Sequence, residues 1–98
     1  MVEYLYDAIR AVAGDDIVIN AYATDENENV ITENCYLLLH DQKGEEMLLR
    51  VEGVYQPEYL SWAFHIPAED TKGLNGRYWY CVKHAEANLC FKQPIYLV

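Results

Sequence analysis

The sequence predicts an all-β fold, an antiparallel β-sandwich of about seven strands, and three observations lead to it. Apolar residues alternate with period two in short runs, the runs recur at about the 8–12-residue spacing of all-β folds, and turn-forming residues separate them. The runs lie near 3–12, 15–24, 34–41, 46–55, 58–66, 76–84 and 89–98. The 98 residues make a single domain, 1–98. A chain of that length buries about 65% of the surface it exposes when unfolded, enough for one core and no second domain.

The first run is ambiguous, because Tyr6, Ile9, Arg10 and Ala13 also lie at helical spacing. Ala11-Val12-Ala13-Gly14 leads straight into the second run, which favours a strand. In that second run Ile17, Ile19, Ala21 and Ala23 share one parity and are expected to face the core, leaving Val18, Asn20, Tyr22 and Thr24 outside. Cys35-Tyr36-Leu37-Leu38-Leu39-His40 is apolar on both parities, the pattern of a central strand with one face on the core and the other partly covered. Trp62, Phe64 and Ile66 alternate until Pro67 ends their strand, and Gly76 opens another that alternates in Tyr78, Tyr80 and Val82. Pro94 cannot donate to a ladder, so the last strand is expected to be an edge or to contain a bulge where it changes partner. Between the runs, Gly14-Asp15-Asp16, Asp25-Glu26-Asn27-Glu28-Asn29 and Asp41-Gln42-Lys43-Gly44 each supply residues that reverse a chain.

Sixteen acidic residues against seven basic ones give a net charge of −9, which repels the phosphates of nucleic acids and anionic lipid. Neither nucleic acid nor membrane is therefore an expected partner. At 52% hydrophobic the chain is too apolar for disorder, and it has no apolar stretch near the roughly 18 residues of a membrane span. Met1-Val2-Glu3-Tyr4-Leu5-Tyr6-Asp7 lacks the basic and apolar regions of a secretion signal, so folding in the cytosol is expected. Three cysteines, Cys35, Cys81 and Cys90, cannot all pair within one chain, which points to a reducing compartment. Cys81 and Cys90 are the two that a terminal hairpin would bring together.

Asp25, Asn27 and Asn29 match the first ligands of a calcium loop, but Val30 stands where glycine is needed and Tyr36 where the bidentate glutamate belongs. Cys81-x-x-His84 followed by Cys90 offers groups that zinc prefers, yet Cys81 and His84 have opposite parity on a strand. Ser61, the single serine, lies between Leu60 and Trp62 without nucleophile-elbow glycines. Cys35 and His40 share one run with opposite parity, so a thiol–imidazole pair between them is not expected. Asp15-Asp16, Glu45-Glu46 and Glu69-Asp70 fall at turns, where backbone capping accounts for them. His40 and His65 read as ordinary surface or half-buried histidines. These patterns predict a non-enzymatic protein without metal or cofactor. Its candidate interface residues are the outward aromatics Trp79, Tyr22 and Tyr59, which suit sugar stacking or a protein contact. The alternative for Trp79 is that it covers the second face of a sheet beneath a loop.

One order of segments carries a family likeness. Gly14-Asp15-Asp16-Ile17-Val18-Ile19 leads to Thr24-Asp25, Cys35 to Asp41 ends near Gly44, and Phe64-x-Ile66-Pro67 precedes Thr71-x-x-Leu74-x-Gly76-x-Tyr78-x-Tyr80. This order resembles the small immunoglobulin-like domains of tailed-phage structural proteins, notably the N-terminal domain of baseplate upper proteins. The resemblance implies an immunoglobulin-like sandwich acting as a non-catalytic structural or protein-binding module of a phage or prophage particle, in its tail, baseplate or another virion accessory. Its partners would be other virion proteins or further copies of itself. Its location would be the bacterial host cytoplasm during assembly and the virion afterwards. Leu74-x-Gly76-x-Tyr78 is similar to a tyrosine corner, in which Tyr78 bonds its hydroxyl to upstream backbone. The chain departs from true immunoglobulin domains at Tyr80, where they carry a cysteine, and the second run offers only Ile19, Ala21 and Ala23 opposite, so the core holds without a disulfide. The second functional reading, of a different class, is a carbohydrate- or cell-surface-binding module stacking ligands on Trp79 and the outward tyrosines.

Overall fold

The computed structural model describes residues 2–5, 8–84, 87–88 and 92–98. The chain is all-β. In order, β1 is Val2–Tyr4, β2 Ile9–Ala11, β3 Ile17–Ala21, β4 Cys35–His40, β5 Met47–Gln56 and β6 Ser61–Ile66; the helical turn α1 is Ala68–Thr71, followed by β7 Gly76–His84, β8 Ala87–Asn88 and β9 Gln93–Leu97. The first expected run is a hairpin rather than one strand: β1 and β2 pair antiparallel, with Val2 opposite Ala11 and Tyr4 opposite Ile9. That pairing replaces the helical alternative. The last run contributes β9, and β8 adds a short strand beside β7, so the described residues hold nine strands where about seven were expected.

The sheet runs in the order β1-β2-β9-β7-β4-β5-β6-β3 and curls until its two ends are neighbours, an almost closed barrel. It is mixed rather than wholly antiparallel, because β2 runs parallel to β9, Ile9 beside Ile95 and Ala11 beside Leu97. At the seam β1 and β3 exchange no ladder; the Tyr4 hydroxyl instead accepts the Asn20 backbone N–H at 2.8 Å. The curl is concentrated in β5, whose first part, to Glu52, pairs with β4 and whose second part, from Gly53, pairs with β6. Gly53 permits that transfer by its missing side chain. A Cβ there would sit 2.7 Å from both Phe64 Cε1 and Trp62 Cε3 and 3.0 Å from the Cys35 carbonyl, distances that no packed carbon tolerates.

The core follows the period-two reading closely. Ile17, Ile19 and Ala23 are buried with Trp62, Phe64, Ile66, Tyr78, Tyr80, Val82, Ile95 and Leu97, while Ala21 packs against their edge. Trp62 places its indole near parallel to Phe64, centroids 6.5 Å apart, and its Nε1–H donates to the Ile31 carbonyl at 2.7 Å. A buried polar edge is thereby satisfied, and the 22–34 loop is held to β6. All six residues of β4 are buried, as expected of a central strand, here between β5 and β7. Tyr36 and Leu38 form a second, smaller cluster with Cys81 on the outer face, and the Arg50 guanidinium lies 3.9 Å above the Tyr36 ring, covering it with a cation–π contact.

Three acidic residues act as backbone caps. Asp25 Oδ1 accepts the N–H groups of Asn27 and Asn29, and Asp41 Oδ1 accepts those of Lys43 and Glu45. Asp16 Oδ1 accepts the Ala68 N–H and meets His65 Nε2 at 3.2 Å, tying the start of β3 to the end of β6. All three carboxyls are held below the usual carboxylate range, chiefly by these backbone N–H groups. The Asp25 and Asp41 loops reverse the chain, whereas the Gly14 turn carries it from β2 across to β3 on the other edge of the sheet. There Gly14 adopts a positive φ of 88°, and its N–H donates to Thr71 Oγ1 at 3.0 Å.

Pro94 corrects one expectation. β9 lies inside the sheet, between β2 and β7, and is not an edge. Pro94 stands opposite Trp79 of β7, one residue before the pairing with β2 begins at Ile95. Among the described residues β2 supplies no ladder partner on that flank of Pro94, so its missing N–H interrupts no described pairing.

Candidate functional site

Two of the outward aromatics come together and the third does not. Tyr22 directly follows β3, and Tyr59 stands in the turn between β5 and β6. Their side chains face solvent, at 80% and 65% exposure. With Asn20, Gln56 and Ser61 they line an open cleft of about 350 Å³. Its floor is Ser61, buried, whose Oγ donates to Gln56 Oε1 at 3.4 Å. The turn that presents Tyr59 is strained: Leu60 adopts a positive φ of 53°, which costs a side-chain-bearing residue about 1–2 kcal/mol. Tyr59 and Leu60 donate their N–H groups to the carbonyls of Gln56 and Pro57, and these two bonds hold the turn in that shape.

The same edge carries a second concavity. Tyr4, Ile9, Ile19, Asn20, Ala21, Tyr22, Tyr80, Val82 and Gln93 enclose about 230 Å³ at the seam where β1 and β3 fail to pair. Its walls are mostly apolar. Two hydrogen bonds cross its rim: Tyr80 donates to Gln93 Oε1 at 3.1 Å, and Tyr4 holds the Asn20 N–H.

Trp79 lies elsewhere, on β7 beneath the loop between β4 and β5. Its Nε1–H donates to the Gln42 carbonyl at 3.3 Å, and the Arg77 guanidinium stacks 5.1 Å from its ring. Its Cδ1 lies only 3.2 Å from where a Gly44 Cβ would be. It covers the outer face of the sheet, and its indole is half-buried. Lys92 Nζ donates to the Gly44 carbonyl, and Gln42 Nε2 to the Asn75 carbonyl, so the loop is tied down on both sides. Close by, Tyr78 is buried and its hydroxyl accepts the Asn75 N–H at 3.4 Å.

One pairing escaped the sequence reading. His40 Nε2 and Cys81 Sγ meet at 3.8 Å across β4 and β7, because the register sets Leu38 opposite Cys81 and His40 opposite Trp79. The two residues are therefore diagonal neighbours on one face. The same parity rule that separates Cys35 from His40 brings Cys81 toward His40, but only the strand register reveals it. Both groups are buried, His40 at 8% and Cys81 at 2% exposure. Burial lowers the His40 pKa, and the Lys92 charge adds to the effect. Cys35 faces the core, where burial pushes its thiol up. Cys90 lies outside the described residues, and with it the expected approach of Cys81 to Cys90. Among the described residues no cluster of three metal-ligating side chains occurs, and no helix is long and apolar enough to cross a membrane.

No family model, curated protein or solved structure matches this chain.

Proposed function

We propose that this chain is a non-catalytic protein-binding module, built as an immunoglobulin-like sandwich and serving as a structural component of a phage-type particle. The observation that supports protein binding is the seam. Two short edges that do not pair with each other, β1 and β3, flank a mostly apolar concavity, and among the described residues one tyrosine hydroxyl bridges them. An unpaired strand edge presents N–H and C=O groups that another chain can pair with, and an adjoining apolar pocket selects a side chain of the incoming strand. The Asn20 N–H points into the seam, so by alternation the backbone groups of Val18 and Tyr22 do as well. The net charge of −9 favours a partner with a basic surface.

The sandwich reading draws on β5, which divides between β4 and β6 at Gly53 and so separates a layer of β3, β6 and the end of β5 from the rest. The particle assignment draws on the segment order that resembles phage structural domains. Light scattering and co-purification with tail or baseplate proteins, followed by amide hydrogen exchange on the complex, test the proposal. New protection at Val18 and Tyr22 is the expected result. A strict monomer that recovers no particle protein, or a complex in which those amides exchange at their free rate, overturns it.

A further inference from the structure

We propose that the cleft between Tyr22 and Tyr59 is a binding site for a neutral saccharide. This goes beyond the protein-binding reading and stands or falls separately from it, since the seam and the cleft share only Asn20 and Tyr22.

The lining has the chemistry that sugars match. Among the described residues no carboxylate, cation or aliphatic side chain lines this cleft: its lining is two tyrosines, two amides and one hydroxyl. Tyrosine faces stack on the C–H faces of sugar rings, while carboxamides offer a donor and an acceptor side by side, matched to adjacent hydroxyls. A protein hot spot is an aromatic or arginine anchor in a desolvated, well-packed pocket; here the apolar side chains gather at the seam, while Tyr22 and Tyr59 stand in solvent. An anionic sugar would meet the acidic protein's repulsion; a neutral one does not.

The groups are also available. Among the described residues, the Asn20 carboxamide, Gln56 Nε2 and the hydroxyls of Tyr22 and Tyr59 make no hydrogen bond, and neither tyrosine ring packs on another. Gln56 is nonetheless oriented by Ser61 beneath it, and Tyr59 is fixed by the strained turn at Leu60. The volume of about 350 Å³ lies at the small end of ligand sites, suited to one or two sugar rings.

The test is a titration of the full chain with neutral oligosaccharides built from glucose, galactose, mannose and N-acetylhexosamine units, with polygalacturonate as the charged control, read by NMR at the Asn20 and Gln56 side-chain amides. A saturable shift with a neutral member is expected. It should weaken by about tenfold in Tyr22→Ala and in Tyr59→Ala, persist in part in Tyr22→Phe, and be unchanged in Trp79→Phe. One-dimensional spectra of each variant check that it is folded. No saturation with any neutral sugar, saturation that survives both alanine variants, or binding of polygalacturonate alone overturns the proposal. So does a protein partner whose footprint covers both tyrosine rings while every neutral sugar fails, which would make the cleft a protein contact.

Discussion

Trp79 has its indole against Gly44, its N–H on Gln42 and a guanidinium over its face; Tyr22 and Tyr59 flank a cleft with their rings in solvent and their hydroxyls uncommitted. All three are outward aromatics by alternation, yet only the tyrosines remain available to a ligand. The difference comes from what crosses above them. The loop after β4 folds back over β7 and is pinned by Asp41, Lys92 and Gln42, whereas nothing among the described residues closes over the β3 end. An aromatic residue that points away from the core can therefore be part of the packing or part of a recognition surface, and its own parity does not distinguish the two.

The contrast can be broken most strongly at the Trp79 corner. Trp79→Ala is expected to lower stability by about 2 kcal/mol, less than a fully buried aromatic would because the indole is half-buried. Gly44→Ala should cost a comparable amount, about 2 kcal/mol, since it places a Cβ against the indole at a positive φ. Urea unfolding followed by tryptophan fluorescence measures both.

Acid should act at the same corner through His40. Its folded pKa lies below the ordinary value near 6.5 because burial disfavours the imidazolium. The unfolded state therefore binds more protons, and stability, complete above about pH 6.5, declines as the pH falls below it. The decline levels off once folded His40 also protonates. His40→Gln should flatten the slope just below about pH 6.5. The lowered carboxyls of Asp16, Asp25 and Asp41 give a separate loss, confined to pH values below their unfolded titration near 3.8. Denaturation midpoints collected across pH resolve the two windows.

At the cleft the expected effects on stability are small. Leu60→Gly should stabilise the chain by about 0.5 kcal/mol, relief of the positive φ outweighing the backbone entropy of glycine. Tyr22→Ala and Tyr59→Ala should change stability by less than about 0.5 kcal/mol, as exposed substitutions do. A thermal melt in which either tyrosine variant loses as much as Trp79→Ala would erase the contrast between the corner and the cleft.

Much of the fold is legible in the chain because burial imposes alternation directly on sequence. Ile17 and Ile19, Trp62 and Phe64, and Tyr78 and Tyr80 all face the interior, as period two requires, and a β4 apolar on both parities is central. The aspartates of the turns also announce themselves, since a short carboxylate next to φ-tolerant residues caps local N–H groups. Features that depend on strand order were hidden. The split of the first run into β1 and β2, the parallel pairing of β2 with β9 and the interior position of Pro94 each depend on a neighbour remote in sequence. The cleft was half legible: Tyr22 and Tyr59 stood out as exposed aromatics, but Asn20, Gln56 and Ser61 carry no signal until β3, β5 and β6 lie side by side.

Local alternation, turn chemistry and charge, all properties of neighbours along the chain, determined by themselves that this protein is an acidic all-β domain, which residues form its core and where it turns. Only the tertiary structure decided that the sheet curls at Gly53 into a nearly closed barrel, that Cys81 meets His40, that a loop claims Trp79 and that Tyr22 and Tyr59 share a cleft. The physical reason is register. Side-chain direction along a strand repeats every two residues whatever lies beside it, but which strand lies beside it, and at what offset, is set by packing among distant segments.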